Sequence, residues 1–149
     1  MPRRVAQIAL GGALALAGAG HLTFAREEFR AQVPPWLPLD EDFVVVASGV
    51  VELGLAGALL LARRRRVPVG WVVAAFFVAI FPGNIAQLTT GTDGFGLDSD
   101  GARAVRLLFQ PVLIAWALWS TQAWQVTRRR GQGTGHRPAD GRPHRHGES

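Results

Sequence analysis

The sequence predicts an all-α fold: a four-helix transmembrane bundle with both termini on the cytoplasmic side and a disordered basic C-terminal tail. Three observations predict it. Four apolar blocks, residues 5–24, 43–62, 67–88 and 104–124, hold 20 to 22 residues each. At about 1.5 Å per residue each covers a hydrocarbon core of roughly 30 Å. Charge is sorted between the connections: twelve of the sixteen arginines fall on one side and eight of the eleven acids on the other. Residues 127–149 are rich in Gly, Arg, Pro and His and contain no Leu, Ile or Phe, so they cannot bury enough surface to order themselves. The domain division is therefore a membrane domain, 1–126, followed by a tail, 127–149.

The first block follows Arg3 and Arg4. A cleaved secretory leader is the alternative there, with Ala17-Gly18-Ala19 as a small-residue cleavage site. The apolar run continues to Phe24, longer than such leaders require. The second block is uninterrupted except by Glu52. Arg63, Arg64, Arg65 and Arg66 separate it from the third, and Arg128, Arg129 and Arg130 follow the fourth. Basic loops stay in the cytoplasm, which sets the orientation and predicts a multi-pass protein of the bacterial cytoplasmic membrane. The outer connections are 25–42 and 89–103, and Gly91, Gly94, Gly96 and Gly101 read as a flexible outer loop. Trp36, Trp71 and Trp124 lie near block ends, where an indole faces both apolar and wet surroundings. Trp116 and Trp119 lie deeper.

Composition excludes several chemistries. There is no cysteine and no lysine, so disulfides, thiolate metal sites and a Schiff-base lysine are unavailable in this chain. The net charge of +5 follows membrane sidedness, so no nucleic-acid partner is predicted. The basic tail favours anionic lipid headgroups. His136, His144 and His146 are loosely spaced within it and read as solvated. No nucleophile–base pair or metal-ligand set can be assembled, and the chain is read as more an accessory than a stand-alone enzyme.

The candidate site is a set of polar groups in the apolar blocks: His21, Glu52, Asn84, Arg106 and Gln110. A carboxylate at bilayer depth costs about 2.5–3.5 kcal/mol on insertion scales and marks function by default. Counting about 1.5 Å per residue from the outer boundary places His21 about 4–5 Å deep, Arg106 about 3 Å, Asn84 about 6 Å, Gln110 about 9 Å and Glu52 about 13 Å. Gln87 falls close to the outer surface. Gly11, Leu14, Gly18 and His21 share one helical stripe, as do Ser48, Gly49, Glu52 and Ala56. Small residues mark close helix approach in lipid, so the stripes carrying His21 and Glu52 face other helices. Pro82 and Pro111 lie near the same level and each frees a backbone carbonyl. The segment Val33-Pro34-Pro35-Trp36-Leu37-Pro38 is stiff and apolar, and is expected to fold over the cavity as a partial lid. Each residue also has a plainer role: packing for His21, helix clamping for Asn84 and Gln110, snorkelling for Arg106, and for Glu52 a protonated acid pinning two helices.

The chain resembles the DoxX and DoxX-like family of small bacterial membrane proteins. The matching pieces are Gly20-His21-Leu22-Thr23-Phe24, the lid segment, Ser48-Gly49-Val50-Val51-Glu52-Leu53-Gly54, Phe81-Pro82-Gly83-Asn84-Ile85, and Arg106-Leu107-Leu108-Phe109-Gln110-Pro111 running on to Trp116. The resemblance implies a four-helix membrane bundle. It also implies association with quinone-linked oxidation of sulfur compounds or with membrane oxidoreductase complexes that resist oxidative stress. Without cysteine this chain carries no thiol relay, and one membrane histidine rules out two-histidine haem ligation within a single chain.

Three functions compete. In the first, an accessory subunit of a membrane redox complex holds a quinone headgroup or small organic molecule in an outward-facing pocket. Glu52 and His21 supply hydrogen bonds or a proton there, and Asn84 and Gln110 orient carbonyls. The second is a small transporter or proton conductor, for which four spans are few unless the chain forms a homo-oligomer. The third is a structural scaffold locked by the polar cluster.

Overall fold

In the computed structural model, which describes residues 1–91, 99–126 and 128, every regular element is helical. The order is α1 (Pro2–Leu22), α2 (Arg26–Arg30), α3 (Glu41–Leu61), α4 (Arg66–Ala79), α5 (Phe81–Thr90) and α6 (Asp100–Ser120). Helices α1, α3, the α4–α5 pair and α6 are each long and apolar enough to cross a membrane. This is a membrane protein with four such spans. The tail, its three histidines, Gly94 and Gly96 lie outside the described residues.

The spans begin earlier than the apolar blocks, and for α3 and α6 a side-chain cap sets the start. The Asp40 side chain accepts a hydrogen bond from the Phe43 amide at 2.9 Å, and Ser99 accepts from Ala102 at 3.3 Å. Each satisfies an amide that the first turn leaves without a partner. The acids Glu41, Asp42 and Asp100 then fall in first turns, where the positive helix end favours them. Gly101 therefore belongs to α6, not to a loop. At its far end α6 stops at Ser120 rather than at Trp124. Thr121 and Gln122 form a turn, Gln122 at φ 64°, and the Arg66 guanidinium hydrogen-bonds the Gln122 side chain.

Two further elements differ from the expected plain spans and loops. Connection 25–42 contains α2, tied to the start of α3 by Arg26 and Arg30, which reach Asp42 at 2.9 and 2.7 Å. The hydrogen bond to Asp42, with help from the Glu27 carboxylate, holds the Arg30 guanidinium above its ordinary pKa. The third span is broken at Ile80, one residue before α5 begins. Pro82 lies in the first turn of α5, where its missing amide costs nothing.

Helices α1 and α3 pack antiparallel and almost backbone to backbone. A Cβ added at Gly18 would lie 2.8 Å from the Gly49 carbonyl oxygen, and one at Gly49 would lie 2.7 Å from the His21 Cβ. Near the arginine-rich end, Gln7 donates to the Leu59 carbonyl at 2.6 Å and Arg4 to that of Leu60 at 2.7 Å. They satisfy carbonyls that the last turn of α3 leaves free. Trp116 of α6 donates to the Ala6 carbonyl at 3.0 Å. The apolar core, including Leu55, Leu59, Val73 and Ala117, packs this half of the bundle. Val5, Leu16, Val50, Val72, Val78, Leu108 and Val112 point outward, as a lipid-facing surface requires.

Candidate functional site

The register of α1 on α3 decides where the site lies. With Gly18 against Gly49, Leu22 comes opposite roughly Val45, so α1 stops about 6 Å short of the outer end of α3. His21 packs against Gly49, about one turn outward of Glu52, whose Cβ lies beside Gly18, and the two side chains meet along the helix faces. The gap above α1 is filled by α2, whose Phe29 ring stacks on the imidazole at 3.4 Å between centroids and 15° between planes.

His21 Nε2 is 3.5 Å from Glu52 Oε2, and both side chains are more than nine-tenths buried. The spacing is that of an ion pair and is longer than a good hydrogen bond. Glu52 Oε2 and His21 Nδ1 have no hydrogen-bond partner. Buried polar groups are normally satisfied, so two such atoms on one dyad make it the candidate site. The dyad lies on the wall of a cavity of about 720 Å³.

All five residues singled out from the sequence, His21, Glu52, Asn84, Arg106 and Gln110, line this cavity. The opposite wall carries the amides. Asn84 Nδ2 donates to Gln110 Oε1 at 2.9 Å, and Gln110 Nε2 donates to the Phe77 carbonyl at 2.6 Å. That carbonyl belongs to the last turn of α4, which the break before Pro82 deprives of intrahelical partners. One hydrogen of each amide NH₂ is thus spent on joining the broken span to α6.

Arg106 is half-buried and reaches toward the outer connection. Its guanidinium donates to Gln32 at 2.6 Å and to Gln87 at 3.4 Å. Gln87, expected near the outer surface, is 2% exposed. Val33, Pro34, Trp36 and Leu37 of the proline-rich segment line the cavity. A Cβ at Gly83 would come within 2.7 Å of the Gln32 carbonyl oxygen, so glycine at that position lets the lid seat on α5.

Sequence reasoning missed Phe29 and Gln32. The one signal for Phe29 was a lone aromatic inside the charged run Arg26-Glu27-Glu28-Phe29-Arg30; Gln32 gave none. Among the described residues no group of three or more metal-ligating side chains forms.

Comparison with known proteins places the chain in a family. The model described as a domain of unknown function (DUF8561) matches residues 10–121, most of the chain and all four spans, and the protein belongs to that family. No curated protein and no solved structure matches it.

Proposed function

We propose that this DUF8561 member holds a ring-shaped, lipid-soluble organic molecule, a quinone headgroup or a close analogue, as an accessory subunit of a redox complex in the bacterial cytoplasmic membrane. The observation that carries the reading is the buried His21–Glu52 dyad, which holds two unpartnered polar atoms and whose residues line a 720 Å³ cavity. A mostly apolar pocket with a few placed polar groups is the usual design of a small-molecule site. Phe29, Phe76, Phe77 and Phe109 supply apolar wall, and Glu52 and His21 supply hydrogen bonds or a proton. The redox association is supported by the DoxX-like motifs alone.

Mass spectrometry of small molecules carried through purification in mild detergent tests this. The wild type is expected to retain a quinone-class compound and Glu52→Gln to lose it. Wild-type protein that is reproducibly ligand-free overturns the reading.

One observation favours the scaffold reading instead. The Asn84–Gln110–Phe77 chain of hydrogen bonds joins α4, α5 and α6 and needs no ligand to explain it. Conduction finds less support, because the side chains beyond the dyad, Leu10, Leu14, Leu55 and Leu59, are apolar and offer no group to pass a proton.

A further inference from the structure

We infer that the cavity is loaded from the bilayer, through a gap between α3 and α5, by a long-tailed amphiphile whose head donates a hydrogen bond to Glu52. This rests on the reading of the cavity as a ligand site. Three independent observations lead to it.

The outer connection lies over the watery end: the lid segment lines the cavity, the backbone of Gln32, one residue before it, is seated on Gly83, and the Gln32 side chain is held by Arg106 at 2.6 Å. The side is open. Among the described residues α5 approaches α4 and α6 but neither α1 nor α3, whereas α3 approaches α4. The two halves of the bundle therefore meet near the arginine-rich end and part toward the other. Ala79 and Pro82, on either side of the helix break, both line the cavity and are exposed. Ala79 lies at the middle of a 25-residue span, so what it faces there is acyl chain rather than water.

The head chemistry follows from the orphan atoms. Paired with the imidazole at 3.5 Å, the Glu52 carboxylate accepts hydrogen bonds only, so it calls for an O–H or N–H on the ligand. The imidazole, stacked on Phe29 and 3.5 Å from that carboxylate, offers Nδ1 to a second head atom. The tail of such a molecule would leave through the α3–α5 gap along Ala79 and remain in lipid, which makes a long-tailed phenol, the reduced quinol form of a quinone headgroup included, the fitting class.

Carbodiimide modification of Glu52 tests the route without knowing the natural ligand. Full-length protein in lipid nanodiscs is treated with dicyclohexylcarbodiimide, which enters the bilayer, or with a charged water-soluble carbodiimide. The N-acylurea on Glu52 is read by peptide mass spectrometry. The hydrophobic reagent is expected to modify Glu52 and the water-soluble one to leave it intact. A long-tailed alkylphenol should protect Glu52 at an aqueous concentration at which phenol does not. Ala79→Trp, which fills the gap, should slow modification several-fold. Equal reaction of both reagents overturns the route, and so does an unchanged rate in Ala79→Trp. Protein that reacts as expected but carries no compound through purification refutes the proposed function and leaves the route standing. Retention of a compound with equal reaction of both reagents does the reverse.

Discussion

At the residue scale the dyad governs both stability and function. His21 and Glu52 are each less than one-tenth exposed, so removing one partner strands the other. His21→Leu should destabilise the bundle by about 3 kcal/mol, because it leaves a buried carboxylate unpaired. Glu52→Gln keeps the hydrogen-bonding shape and should cost about 1 kcal/mol. Reversible unfolding in mixed detergent micelles measures both, and equal small losses would mean that the two groups are not coupled. Gly49 is a second sensitive position. Gly49→Ala drives a methyl to 2.7 Å from the His21 Cβ and 3.0 Å from the Gly18 carbonyl oxygen, and should cost about 1–3 kcal/mol by forcing α1 and α3 apart. A wild-type unfolding midpoint for this variant would show that the two helices are not in backbone contact.

At the scale of elements the broken third span is the feature that shapes the site. Pro82 could be read as a bend, but a proline alone does not say whether a helix kinks or stops, nor what takes up its free carbonyls. Here Gln110 takes the Phe77 carbonyl and holds Asn84 with its own oxygen. Gln110→Leu removes both bonds and leaves buried polar groups without partners. A loss of about 1–3 kcal/mol follows, together with faster amide exchange at residues 80–84; exchange unchanged from wild type would show that the break does not depend on α6. The helix stripes were legible from small-residue spacing: Gly11, Leu14, Gly18 and His21 are all buried. The ring that covers the imidazole was not legible: α1 ends early against α3, and α2, a short helix in the outer connection, brings Phe29 onto His21.

At the scale of the whole molecule, the all-helical fold and four spans follow from block length and from the charge sorting of the loops. The cavity follows from how the blocks pair. Close packing of α1 on α3, and of α6 on the broken span, leaves the two halves joined near one end, and no single stripe encodes that divergence. The orientation predicted from the arginines is open to direct test, because the chain has no cysteine. Arg64→Cys and Glu28→Cys each introduce a unique thiol. In intact cells a membrane-impermeant maleimide should label Glu28→Cys alone, and Arg64→Cys only after permeabilisation; the reverse pattern would invert the topology.

The pairing of an imidazole with a carboxylate inside the membrane underlies both the proposed ligand and its route. Solid-state NMR on protein in lipid bilayers, with ¹⁵N in the histidine rings and ¹³C in the glutamate carboxyls, measures that pairing directly. A dipolar coupling consistent with the 3.5 Å Nε2–Oε2 separation, lost in Glu52→Gln, is the predicted result. A spectrum without this coupling in the wild-type protein contradicts the account.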